Sequence, residues 1–97
     1  MPIATHVALW YSRNVSGSIE FNHAAFKHGV TEERIRYALN KPQYEGPLED
    51  YENKYIVLGF DNSGNLLEIF YNRIDDETIN VFHAMKCRNI FHPLLDT

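Results

Sequence analysis

The chain has one cysteine, Cys87, so no internal disulfide can staple it and its stability must come from a packed core. It has no apolar run near the roughly 18 residues that cross a bilayer, which excludes a membrane-spanning helix. Its first residues lack the basic stretch and following apolar stretch of an export signal, so we expect a cytoplasmic protein. It has no excess of positive charge: nine Lys and Arg stand against thirteen Asp and Glu, a formal net charge of −4. That balance argues against a generic nucleic-acid binder, which needs local cations to meet phosphates. Repeats, low-complexity tracts and an internal linker are missing too.

What is present suits a folded globule. With 97 residues, 44% apolar and 13% aromatic, there is room for one modest core and a single domain over 1–97. The acids are unevenly spread. Glu45, Glu49, Asp50 and Glu52 fall in one stretch, and Asp75, Asp76 and Glu77 in another. Without those seven, six acids remain against nine cations, a balance compatible with a small RNA site.

Taken in order, residues 6–11 read as a short strand or the start of a helix, and 14–18 as a turn with Gly17. Asn14-Val15-Ser16 matches a glycosylation sequon by chance in a chain without a secretion signal. Residues 19–21 read as a brief strand. Asn22 then caps a short helix over 23–28 that Gly29 ends. A second helix follows at once: Thr31 is its N-cap, Glu32 and Glu33 favour its dipole, Val30 staples onto Ile35, and Ile35, Ala38 and Leu39 form its apolar stripe. Asn40-Lys41-Pro42 stops it. Residues 43–53 read as a loop. Strands over 55–60, 66–72 and 79–83 then form a meander joined by Asp61-Asn-Ser-Gly-Asn65 and a turn over 74–78. A short helix over 86–95, weakened by Pro93, closes the chain. The expected fold is α+β: two N-terminal helices, a three- or four-stranded antiparallel sheet and a short C-terminal helix, with the helices on one sheet face.

The chemistry gathers where the last strand empties into the final helix. Residues 79–88, Ile-Asn-Val-Phe-His-Ala-Met-Lys-Cys-Arg, place His83, Lys86 and Arg88 within six positions. A strand end holds side chains rigidly, and an imidazole with two cations is a workable kit for a phosphodiester. The plain alternative is a hydrogen-bonded sheet histidine followed by a solvated basic turn. His28 serves either in the chemistry or as a cation at its helix C-terminus. Lys27, Lys86 and Arg88 are candidate phosphate ligands or ordinary surface cations, and Arg73 is similar, with Asp75 and Asp76 as possible partners. Tyr71 is either a donor to phosphate or an interior aromatic. Cys87 between two cations has a setting that favours thiolate, but with no base-and-orienter set it reads as a small buried residue. His83, Cys87 and His92 have a loose zinc-like spacing without a fourth ligand, so no metal site and no cofactor are expected.

The run Lys27-His28-Gly29-Val30-Thr31-Glu32-Glu33, followed by the meander, resembles the BrnT-like toxins of bacterial type II toxin–antitoxin systems, within the wider RelE-like ribonuclease group. The resemblance covers about 19–95, leaving 1–17 as an N-terminal extension. It includes the Leu66-Leu67 strand start, the Asp75-Asp76 turn and the third strand ending at Ala84. His83-Ala-Met-Lys86-x-Arg88, followed by an aromatic and a Leu-Leu pair, is similar to a variant near this family. Lys27 and His28 match the family's Lys-His pair. Tyr71 stands where the family has a His, and His83-Ala84-Met85 where it has Ser-Ala-Arg.

The resemblance implies a RelE-like fold and a metal-independent endoribonuclease in which a ribose 2′-OH attacks the adjacent phosphorus. His83, His28, Lys86 and Arg88 would be its catalytic residues, and Lys27, Arg73 and Tyr71 would bind substrate. It also implies an RNA substrate, no membrane, and a hetero-oligomer with a small DNA-binding antitoxin encoded nearby. The missing His and Arg keep a second reading open, a catalytically silent protein-binding domain on the same fold. An enzyme built on Cys87 is the remote third.

Overall fold

The helix signalled most strongly in the sequence forms as α1, Glu32–Asn40, in a computed structural model that describes residues 18–96. The expectations for 6–11, the turn and sequon at 14–18 and the extension over 1–17 fall outside the described residues, apart from Ser18. Thr31 Oγ1 accepts from the Arg34 N–H at 3.3 Å, satisfying one of the donors left open in the first turn. Ile35, Ala38 and Leu39 are buried, as their spacing requires. The helix sits close on the sheet because Gly59 leaves room: a Cβ there would lie 2.5 Å from the Ala38 carbonyl oxygen.

The sheet differs from expectation. It has five strands, β1 Ser18–Phe21, β2 Pro42–Pro47, β3 Lys54–Phe60, β4 Leu66–Asp75 and β5 Thr78–Lys86, in the order β1-β5-β4-β3-β2. β3, β4 and β5 form the expected antiparallel meander. β1 is parallel to β5, with Ser18 opposite Thr78 and Phe21 opposite Val81, so the sheet is mixed. β2 fills part of the expected loop. Its two prolines are tolerated because it lies at the sheet edge, where an absent N–H costs no ladder bond.

The helices differ too. Residues 23–26 form a single 3₁₀ turn, His23–Phe26, capped by Asn22 as expected, and the chain closes in a 3₁₀ helix, Asn89–Asp96. The two N-terminal helices of the expected fold reduce to this turn and α1, and the turn follows a strand. Nor do the helices share one face. α1 and the first 3₁₀ turn cover a core with Val57, Leu67, Ile69, Val81 and Ala84. On the opposite face Phe91 and Leu94 of the C-terminal 3₁₀ helix pack on Ile56, Leu58 and Cys87. Both faces of the central strands are therefore covered, and every inward polar group needs a partner. Among the described residues, no helix is long and apolar enough to cross a membrane.

One such group lies in the α1-side core. The Tyr71 hydroxyl donates to Glu45 Oε2 at 2.9 Å, while Glu45 Oε1 is buried with no hydrogen-bond partner among the described residues. Burial pushes the Glu45 carboxyl up to about 8, with the Tyr71 bond only partly opposing it. Below the ordinary value of 4.5 the group is neutral in both states. Above it the unfolded chain releases a proton that the folded chain keeps, so stability falls as pH rises toward about 8. Glu45→Gln keeps an acceptor for Tyr71 and removes that loss. Urea unfolding should show it gaining about 2–4 kcal/mol on wild type between pH 5 and pH 8. An equal difference at both pH values would refute the assignment.

Candidate active site

The last strands place an acid inside the second core. Residues 66–70, Leu-Leu-Glu-Ile-Phe, alternate so that Leu67 and Ile69 enter the α1-side core while Glu68 and Phe70 face the C-terminal 3₁₀ helix. Glu68 is fully buried. A carboxylate there needs near-complete compensation, and it has it. Arg88 donates its backbone N–H to Oε1 (2.9 Å), Nε to both oxygens (3.1 and 3.0 Å) and Nη2 to Oε2 (2.6 Å). His83 Nε2 lies 2.8 Å from Oε2. Burial alone would raise this carboxyl, but the Arg88 and His83 hydrogen bonds outweigh it and hold it below the ordinary carboxylate value. The same bonds raise the already high Arg88 value.

An ionised Glu68 only accepts, so His83 presents Nε2–H to it and neutral His83 keeps Nδ1 as a free acceptor. Nδ1 has no hydrogen-bond partner among the described residues. The ring stacks on Phe70, with centroids 4.3 Å apart, and meets the His28 ring edge-on at 5.5 Å. Its side chain keeps 19% of its surface exposed, and that of Arg88 keeps 46%. An oriented imidazole, a second imidazole against it and a guanidinium anchored along one edge therefore share an accessible corner. This arrangement can accept a proton, donate one and hold an anion.

Of the residues picked out in the sequence, His28, His83 and Arg88 come together. Lys27 adjoins them in sequence and is exposed, its backbone N–H closing the 3₁₀ turn on Ala24 at 3.2 Å. Lys86 does not join them: it pairs with Leu67, whose side chain enters the other core, so it leaves the opposite sheet face. Arg73 lies on that opposite face too, opposite Ile79, with Asp76 at 3.8 Å. Tyr71 is completely buried on the same side, stacked on Tyr55 and bonded to Glu45, and cannot reach a substrate at this corner. Cys87 is buried. Desolvation, and then the Glu68 charge, push its thiol up, Arg88 opposing only in part, so it is no thiolate nucleophile. No three His, Cys, Asp or Glu side chains gather to hold a metal among the described residues, so His83, Cys87 and His92 form no such group.

A solved structure with the same architecture is the Brucella abortus ribonuclease toxin BrnT, matched with a TM-score of 0.53 over 75% of this chain and 99% of that one. The chain has a BrnT-like fold. No family model matches the sequence, and no curated protein sequence matches it significantly. At 13% identity the likeness is one of backbone, and the side chains on this BrnT-like frame are the chain's own. Glu68 and Phe70 had no place among the sequence candidates. The available signal was a lone acid in an apolar strand that adjoins a His-containing strand.

Proposed function

We propose that the protein is the toxin of a type II toxin–antitoxin pair and cleaves RNA without a metal, using His83, His28 and Arg88. The observation that carries this reading is the His83 ring, held by Glu68 with Nδ1 open and His28 beside it. The BrnT-like fold supports it, since the matched structure is that of a ribonuclease toxin. Neutral His83 takes the ribose 2′-OH proton at Nδ1. The 2′-oxygen bonds to the adjacent phosphorus while the bond to the 5′-oxygen breaks. Protonated His28 gives its proton to that leaving oxygen, leaving a 2′,3′-cyclic phosphate and a 5′-hydroxyl. Glu68 orients His83 and stabilises the imidazolium that forms. The Arg88 N–H groups not committed to Glu68 meet the non-bridging oxygens. A small DNA-binding antitoxin, encoded nearby, would silence the toxin in a hetero-oligomer.

The test is the purified chain incubated with single-stranded RNA. The expected products carry 2′,3′-cyclic phosphate and 5′-hydroxyl ends, and a 2′-deoxy substitution at the cleaved position blocks the cut. In cells, the chain expressed alone should arrest growth with loss of RNA, and co-expression of the antitoxin should relieve it. A chain that binds the product of the adjacent gene yet leaves RNA intact would replace this reading with the silent binding domain.

A further inference from the structure

Beside Arg88 the second sheet face carries an open groove of about 340 Å³ that the proposed reaction does not use. Leu48, Tyr51, Phe70, Phe82 and Phe91 supply its apolar walls. Phe70 is a party wall: one ring contact is with His83, and others are with Phe82 (6.1 Å) and Phe91 (5.8 Å). Two cations lie against these rings. Lys54 Nζ sits 5.0 Å from the Tyr51 centroid and 5.3 Å from that of Phe82, and the Arg88 guanidinium is 5.4 Å from that of Phe91.

We infer that this groove is a stacking subsite for one nucleobase of single-stranded RNA, next to the scissile linkage at His83. The inference rests on the ribonuclease reading for its choice of substrate, and of the groove's residues only Arg88 is shared with the proposed reaction. Flat aromatic walls take any base by stacking, and cations along the rim meet the sugar-phosphate chain. Lys54 has no ion-pair partner among the described residues, so an anionic ligand would supply the counter-charge that the fold does not. An apolar protein side chain in the same place would cover that ammonium and give it nothing. The volume suits a base and is at the small end for ligand sites. Glu49 lines the neighbouring cavity, with Tyr44, Ile56 and Leu94, rather than this groove. The base thus sits toward Tyr51, and its phosphate runs to Arg88.

The test uses the full chain and fluorescein-labelled 2′-O-methyl tetranucleotides of A, C, G and U, which cannot be cut, with binding read by fluorescence anisotropy. Tyr51 is well exposed, so its replacement leaves the core intact. Tyr51→Ala and Lys54→Ala should each weaken binding about fivefold or more, while Tyr51→Phe and Lys54→Arg stay near wild type. Unchanged affinity in both alanine variants, or no binding by wild type, overturns the subsite. So does a result in which these variants weaken only a complex with the adjacent gene's product. Cleavage of ordinary RNA is measured in parallel and separates the two proposals. Cleaved RNA with Tyr51-independent binding removes the subsite alone, and Tyr51-dependent binding with uncut RNA removes the ribonuclease reading alone.

Discussion

His83→Gln is expected to slow RNA cleavage about 10²–10⁴-fold while leaving the fold intact. The side-chain amide can still donate to Glu68 Oε2, so the buried carboxylate keeps its third partner, but an amide cannot take the 2′-OH proton. His83→Ala should lose as much activity and some stability besides, because it also deletes the ring stacked on Phe70. Comparing the two separates chemistry from packing. Single-turnover cleavage of a short RNA, with urea unfolding of each variant, makes the measurement. If His83→Gln cleaves within about threefold of wild type, His83 is not the base and the mechanism fails. Glu68→Gln acts through His83 as a positioning change. It should lower the rate less than His83→Gln and alter its pH profile, since a neutral amide no longer stabilises the imidazolium or fixes which nitrogen holds the proton.

The elements legible in the sequence were those whose chemistry is local. Thr31, Glu32 and Glu33 announce α1 within one turn, and the Asp61–Asn65 turn joins β3 to β4 with Asp61 accepting from Ser63 and Asn65. The strand over 19–21 was legible as β1, but its parallel pairing was not, and β2 was obscured altogether. β1 is only four residues and pairs with a strand distant in the chain, which no local pattern reveals. β2 carries Pro, Gly and Pro, which deny a central strand but not an edge one. At the site, strand alternation was the missing step. His83, Met85 and Cys87 share a face and Lys86 takes the other, so nearness in sequence grouped Lys86 wrongly with His83. Arg88 lies beyond β5, where the backbone turns back and its own N–H meets Glu68. Glu68 stayed hidden because a strand with one wet face can carry an acid freely. What commits the buried acid is Arg88, beyond β5, together with His83 across from it.

That commitment gives the largest expected loss of stability. Arg88→Ala removes three of the side-chain contacts to a carboxylate that has no exposure to water, leaving the backbone N–H and His83. Breaking a buried pair on one side costs about 3–5 kcal/mol, and the half-exposed Arg88 side chain brings the expectation to about 2–3 kcal/mol. The pH dependence identifies the cause. In the wild type, burial would raise Glu68 but the Arg88 bonds hold it below 4.5, so its stabilisation is complete above 4.5 and fades as pH falls through the lower folded value. Without the guanidinium, burial prevails and the folded carboxyl moves upward. The variant then binds a proton more readily folded than unfolded, and loses stability as pH rises above 4.5. The gap between the two proteins should therefore be widest at pH 7–8 and close as the solution is acidified. Glu68→Gln should cost less, about 1–2 kcal/mol, because the freed guanidinium turns to solvent. Urea unfolding from pH 4 to pH 8 measures all three proteins. An Arg88→Ala protein within about 0.5 kcal/mol of wild type at every pH would mean that water, not Arg88, compensates Glu68, and the anchored imidazole at the centre of the proposed mechanism would lose its support.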